Sequence, residues 1–144
     1  MENFSGLTQE EKARLLELEK SVALDKAKPI IKKDFLSFVK YVWPEFIEGS
    51  HHKKINKKFN DLAQGKIKRL IINMPPRHTK SEFASYLLPA WMVGLDPRLK
   101  IIQATHTADL AVDFGRKTKN LVDQPNYKEL FDTRLMEDSQ AAGK

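Results

Sequence analysis

Cysteine is absent from this chain, which excludes disulfides and thiolate metal sites and suits a reducing compartment. No apolar stretch reaches the length of a membrane span. The opening Met1-Glu2-Asn3-Phe4 lacks the cationic and apolar regions of a secretory leader, so the chain is read as intracellular. Its four histidines contain no H-x-x-x-H pair, and a zinc site is not expected. Also missing after Lys80 is an apolar strand that ends in Asp-Asp or Asp-Glu, the element that assists magnesium in many ATPases. The nearest acidic cluster, Met136-Glu137-Asp138, follows Arg134-Leu135 and does not read as a strand.

What is present suffices for one domain with a real core: 144 residues, 41% hydrophobic and 31% charged. A formal charge of +6 favours polyanionic partners, with nucleic acid first among them. Residues 1–28 read as a leading helix, with a Thr8/Glu11 capping box and an apolar stripe of Leu15, Leu16, Leu18 and Val22. Lys28-Pro29 is expected to end it. Such a helix packs on its own domain or docks on a partner. A second helix spans Asp34 to Val42 and is stopped by Pro44; a third runs from Ser50 to Ala63, with Ile55, Phe59 and Leu62 inside and Gly65 after its end. The outer face of the third carries Lys53, Lys54, Lys57 and Lys58, which either touch DNA phosphates or form a solvated surface.

The run Arg69-Leu-Ile-Ile-Asn73-Met-Pro-Pro-Arg-His-Thr-Lys80-Ser81 is the most informative. Leu70, Ile71 and Ile72 have the pattern of a parallel strand buried on both faces. Pro75 and Pro76 forbid a helix there, and the residues from Ser81 onward are helical in type. The first amides of that helix would point into the turn, with the positive end of its dipole behind them, which makes an anion site. Lys80 would reach the β- and γ-phosphates of a nucleotide, and Ser81 would hold magnesium. Against G-x-x-x-x-G-K-[ST], however, Met74 and Thr79 stand where the glycines belong. Further on, the helix is expected to be kinked at Pro89 and to stop near Gly94. Lys100 to Thr105 reads as a second strand, Thr107 caps a helix to about Val122, and Tyr127 to Phe131 forms a last helical turn after a break at Pro125. The expected class is therefore α/β: N-terminal helices, then the βαβα start of a P-loop parallel sheet over residues 29–144. Because two strands make a poor parallel sheet, the ATPase domain is expected to be incomplete here.

The segment Pro75-Pro76-Arg77-His78-Thr79-Lys80-Ser81-Glu82 resembles the deviant Walker A segment of the large subunit of tailed-phage terminases, the ATP-driven DNA-packaging motors. There Pro-Pro-Arg-x-x-Lys-Ser recurs, often with glycine at the position of Thr79. The likeness extends upstream over His51-His52-x-x-Ile55, Leu62, Gly65 and Lys68-Arg69, and downstream over Thr107-Ala-x-x-Leu110-Ala111-x-x-Phe114-Gly115-Arg116, Tyr127 and Leu130-Phe131. The resemblance implies ATP and Mg2+ as cofactors, held by Pro76, Arg77, His78, Thr79, Lys80 and Ser81, with magnesium on Ser81. It implies catalytic roles for Lys80 and Arg77; the guanidinium either senses the γ-phosphate or is a surface arginine. His51 and His52 stand about where helicase-like ATPases place an adenine-reading glutamine, so His52 either meets the base or is an exposed histidine at a helix start. Thr105, His106 and Thr107 either touch nucleic acid or form a capped turn. Implied partners are double-stranded DNA, the portal protein, the small terminase subunit and further copies in a ring, all in the host cell cytoplasm. The acidic strand and the nuclease domain lie beyond Lys144 in that family, so this chain alone is expected not to turn over ATP. The alternatives are another helicase-like ATPase fragment, or a non-catalytic module that binds nucleic acid or a partner.

Overall fold

The computed structural model describes residues 8–135, and the acidic cluster at 136–138 lies outside them. The chain divides into two units, one up to Ile30 and one from Ile31 onward. Helix α1 (Gln9–Lys33) makes up the first unit and gives its last turn to the second. The Thr8 amide donates to Glu11 Oε2 at 2.8 Å and the Glu11 amide returns to Thr8 Oγ1 at 3.3 Å, the reciprocal capping box. No residue of α1 is buried, and Leu16, Leu18 and Val22 are each more than half exposed. Pro29 does not end the helix, contrary to the sequence expectation. It forfeits its own amide bond and its ring crowds the carbonyl one turn before, yet the helix beyond it continues to Lys33.

The second unit is built around α2 (Phe35–Val42). Its Phe35 is fully buried and meets three rings edge-on: Phe59 at 5.0 Å, Phe83 at 5.3 Å and Trp91 at 5.6 Å. Those rings come from α3 (Ser50–Ala63) and from a helical stretch made of α4 (Lys80–Glu82), a π-helical turn (Phe83–Leu87) and α5 (Leu88–Leu95). The π turn answers the difficulty of Pro89, whose ring and missing amide do not fit a regular i to i−4 ladder; the Leu88 amide reaches back five residues to the Phe83 carbonyl. Helices α6 (Ala108–Asp123) and α7 (Pro125–Leu130) close the core with Leu121, Val122, Tyr127 and Leu130. The break expected at Pro125 is present: α6 ends at Asp123, and Pro125 sits in the first turn of α7, where its lost amide costs nothing.

A polar joint fixes α2 on α3. The Asp34 carboxylate accepts from the Ser37 amide at 2.9 Å, and from Asn56 Nδ2 and Asn60 Nδ2, both at 2.7 Å. The asparagine oxygens in turn accept the Leu36 and Phe35 amides at 2.8 and 2.9 Å. Three first-turn amides of α2 are thereby satisfied, two of them by the neighbouring helix. Burial pushes the Asp34 carboxyl up, but the hydrogen bonds from Asn56, Asn60 and Ser37 outweigh it and hold it below its ordinary value.

The α/β expectation is corrected here: the described residues form helices and no strand, so the βαβα start of a parallel sheet does not exist in this fold. The apolar run at Leu70 packs by one face only. Leu70, Ile72 and Met74 lie against the core, whereas Ile71 is 87% exposed. In the second run Ile102 is 95% exposed. Neither run pairs with another segment as a strand. Extended backbone becomes a strand only through a hydrogen-bonded neighbour, and β-branched composition supplies the extension without the neighbour. The buried framework is instead helix on helix. Among the described residues, no helix is long and apolar enough to cross a membrane.

Candidate functional site

The segment from Pro75 to Glu82 lines an open concavity of about 360 Å³, whose wall among the described residues is made by these eight. Local backbone conformation shapes it. Arg77 and Thr79 have φ of 62° and 57°, the left-handed region that L residues enter at a cost of about 1–2 kcal/mol each. These are the positive-φ non-glycine residues of the described chain, and both lie in this loop. Strain concentrated in this way is held by its surroundings. His78 Nδ1 is 2.8 Å from the Pro76 carbonyl, and the Thr79 hydroxyl donates to the His78 carbonyl at 2.6 Å. Beyond Thr79 the chain turns helical, and the Phe83 amide donates to the Thr79 carbonyl at 2.9 Å. Phe83, fully buried, anchors the end of the loop in the core.

The sequence-expected residues are distributed around this loop as follows. Pro76, Arg77, His78 and Ser81 are exposed, and Thr79 and Lys80 are half-buried. Lys80 Nζ rests near the Met74 carbonyl at 3.4 Å, a long contact that costs little to leave. Glu82 is the acidic group in the wall, and Lys117 of α6 lies 3.7 Å from it and 3.5 Å from Asp113. The donors in or beside the concavity are the Lys80 ammonium, the Arg77 guanidinium, the Ser81 hydroxyl and the amides at the start of the helical stretch, groups of the kind that bind anions. Among the described residues no group of three or more His, Asp or Glu side chains is placed to hold a metal.

His52 is not on the surface. It is 4% exposed, and Phe46, Phe83 and His51 lie around its ring at centroid distances of 4.7, 5.0 and 3.8 Å. The Gly49 amide donates to its Nδ1 at 2.8 Å, and its Nε2 lies 2.7 Å from Thr79 Oγ1. Neither ring nitrogen is left for a base. The spacing His52, Ile55, Phe59 puts the imidazole on the buried face of α3, a signal that the sequence carries and that the reading of an exposed histidine overlooked. Burial first, then the charges of His51 and His78, lower its pKa, against the opposing pull of Glu48. The imidazole is accordingly neutral near pH 7.

The remaining candidates take local roles. Thr107 accepts the Leu110 amide at 3.4 Å as the N-cap of α6, and Thr105 Oγ1 donates to the Thr107 carbonyl at 2.5 Å. On α3, Lys53 lies 3.5 Å from Glu48, which also pairs with Lys40, while Lys54, Lys57 and Lys58 are exposed. The sequence reading missed Asn56 and Asn60 altogether, although their i, i+4 spacing places both on the same face of α3. Compared with protein-family models, with curated proteins and with solved structures, the chain gives no match.

Proposed function

We propose that this chain is the ATP-binding part of a viral DNA-packaging motor of the terminase large-subunit kind, which couples ATP hydrolysis to movement of double-stranded DNA into a procapsid. The observation that carries the proposal is the Pro75–Glu82 concavity, where two left-handed residues lead into a helical stretch that opens on Lys80 and Ser81. The reading rests on this loop and on the sequence around it, not on a parallel sheet. When bound, Mg-ATP supplies the phosphoanhydride bond whose cleavage drives such motors. The chain's part is to hold it. Lys80, now 3.4 Å from the Met74 carbonyl, would hold the β- and γ-phosphates, Ser81 would serve magnesium as a ligand, and Arg77, at a left-handed position in the same loop, would contact the γ-phosphate and pass its loss to a neighbouring element. The exposed lysines of α3 supply a sequence-independent contact to DNA phosphates. The proposed setting is the host cell cytoplasm, in a ring of copies on the portal with the small subunit.

The test is a Mg-ATP titration of the chain and of Lys80→Ala, with circular dichroism to show that both are folded. Saturable binding that falls by at least about tenfold in the variant is the expected result, since a charge-assisted phosphate contact is worth about 1.5–3 kcal/mol. Equal binding by both proteins, or none by the folded parent, would overturn the assignment. Arg77→Ala is expected to weaken ATP more than ADP, because its proposed contact is to the γ-phosphate.

A further inference from the structure

We infer that His52 is a positioning residue of the phosphate loop: a chain of hydrogen bonds from Gly49 through the imidazole to Thr79 holds the left-handed turn that a glycine would adopt unaided. As a statement about nucleotide affinity this rests on the function proposed above; as a statement about the loop it stands on geometry alone. The Gly49 amide can only donate, so Nδ1 must be the unprotonated nitrogen. The Thr79 hydroxyl spends its proton on the His78 carbonyl, so its oxygen must accept from His52, and Nε2 must carry the hydrogen. One tautomer of neutral imidazole satisfies every partner. A second proton on Nδ1 would face the Gly49 amide, donor against donor.

The same ring closes the start of α3. His52 is the third helical residue after the Gly49 cap, where glutamate or glutamine usually reaches back to the cap amide. Here the reach is made by a side chain whose far nitrogen has a second task on the loop. Its environment keeps it in place: Phe46 and Phe83 flank it, His51 lies against it, and the charged or titratable groups that act on it are His51, Glu48 and His78. Threonine at position 79 has a branched Cβ that resists positive φ, and its hydroxyl is the handle by which the conformation is imposed. The pairing of a buried imidazole with a left-handed threonine thus serves in place of glycine.

A set of substitutions separates this role from mere packing. His52→Leu preserves volume and removes the chain of bonds; Thr79→Val removes only the hydroxyl; Thr79→Gly removes both the hydroxyl and the need for it. Hydrogen exchange at the Phe83 amide, which is shared between the Thr79 and Lys80 carbonyls at the end of the loop, is read without any ligand. Exchange is expected to quicken about tenfold in His52→Leu and in Thr79→Val, the factor set by a left-handed penalty no longer supported. In a Thr79→Gly background, His52→Leu should add less than about twofold, because glycine bears no such penalty. Nitrogen-15 spectra of the parent should show His52 as the Nε2–H tautomer at pH 7, with Nε2 displaced in Thr79→Val. The opposite tautomer, or His52→Leu effects of equal size in the threonine and glycine backgrounds, would overturn the inference. Mg-ATP affinity measured on the same proteins should follow the exchange rates. Failure of the parent to bind ATP would refute the proposed function, while the tautomer and the exchange pattern would still decide the role of His52.

Discussion

Replacing Asp34 by alanine tests the joint that orients α3, and with it His52, against the core. The carboxylate accepts four hydrogen bonds, from the Ser37 amide and hydroxyl and from the Asn56 and Asn60 amides. Loss of an N-cap costs about 1 kcal/mol. The two asparagine donors are part-buried, and each loses a charge-assisted partner, worth roughly 0.5–1.5 kcal/mol after allowance for their access to water. The expected total is about 2–4 kcal/mol. Urea denaturation followed by tryptophan fluorescence is the assay, since Trp43 and Trp91 both lie in the second unit. The midpoint should fall with the m-value unchanged. Asn60→Ala should be non-additive with Asp34→Ala by more than about 0.5 kcal/mol, because the two side chains share a bond. The pH dependence has a definite sign. A carboxyl whose folded pKa lies below its unfolded value stabilises the protein above the unfolded value, about 4, and loses that contribution as the pH falls through the folded one. The stability difference between parent and variant should therefore narrow in acid. A loss under about 0.5 kcal/mol at pH 7, or additivity with Asn60→Ala, would refute the reasoning.

Other consequences follow from the packing. Gly94→Ala would place a methyl 2.7 Å from both Phe131 Cδ2 and Tyr127 Oη, so a loss of about 1–3 kcal/mol is expected in the same denaturation assay. Tyr127 is buried, its hydroxyl donates to the Ala90 carbonyl at 2.8 Å, and burial raises its pKa. Tyr127→Phe should cost about 1 kcal/mol, and ultraviolet titration should show all three tyrosines ionising late, Tyr127 last of them. Leu18→Ala in α1 should change the stability of the second unit by less than about 0.5 kcal/mol, because no residue of that helix is buried.

The helices were legible where local chemistry decides them. The bounds of α3 from Ser50 to Ala63, with Gly65 at φ 72° just beyond, follow from periodicity and a glycine stop. Thr107 announces α6 by its cap, and Asp34 announces α2. Partnership was not legible. Leu70-Ile71-Ile72 and Ile101-Ile102 carry strand composition, but a strand is made by a distant neighbour, which composition does not specify; the fold leaves Ile71 and Ile102 exposed instead. Pro29 read as a break from sequence, yet the helix runs through it to Lys33; the break expected at Pro125 does occur, since α6 ends at Asp123 and Pro125 opens α7, where its missing amide has no helical partner to lose. In the loop, the order of a Pro-Pro turn followed by a helix start at Lys80 and Ser81 was legible, and a helix does begin there. No sequence signal warned that Arg77 and Thr79 would both be left-handed, or that the support of Thr79 would come from 27 residues upstream.

In the proposed function the backbone and side chains from Arg77 to Ser81 hold the phosphates of ATP. Its most direct test is a map of amide chemical shifts on addition of Mg-ATP, with adenosine monophosphate as the control. Saturable shifts are expected that are largest at His78, Thr79, Lys80 and Ser81, that require the β- and γ-phosphates, and that need at least about tenfold more Mg-ATP in Lys80→Ala. Shifts confined to the lysine face of α3, or equal shifts with the monophosphate, would contradict it.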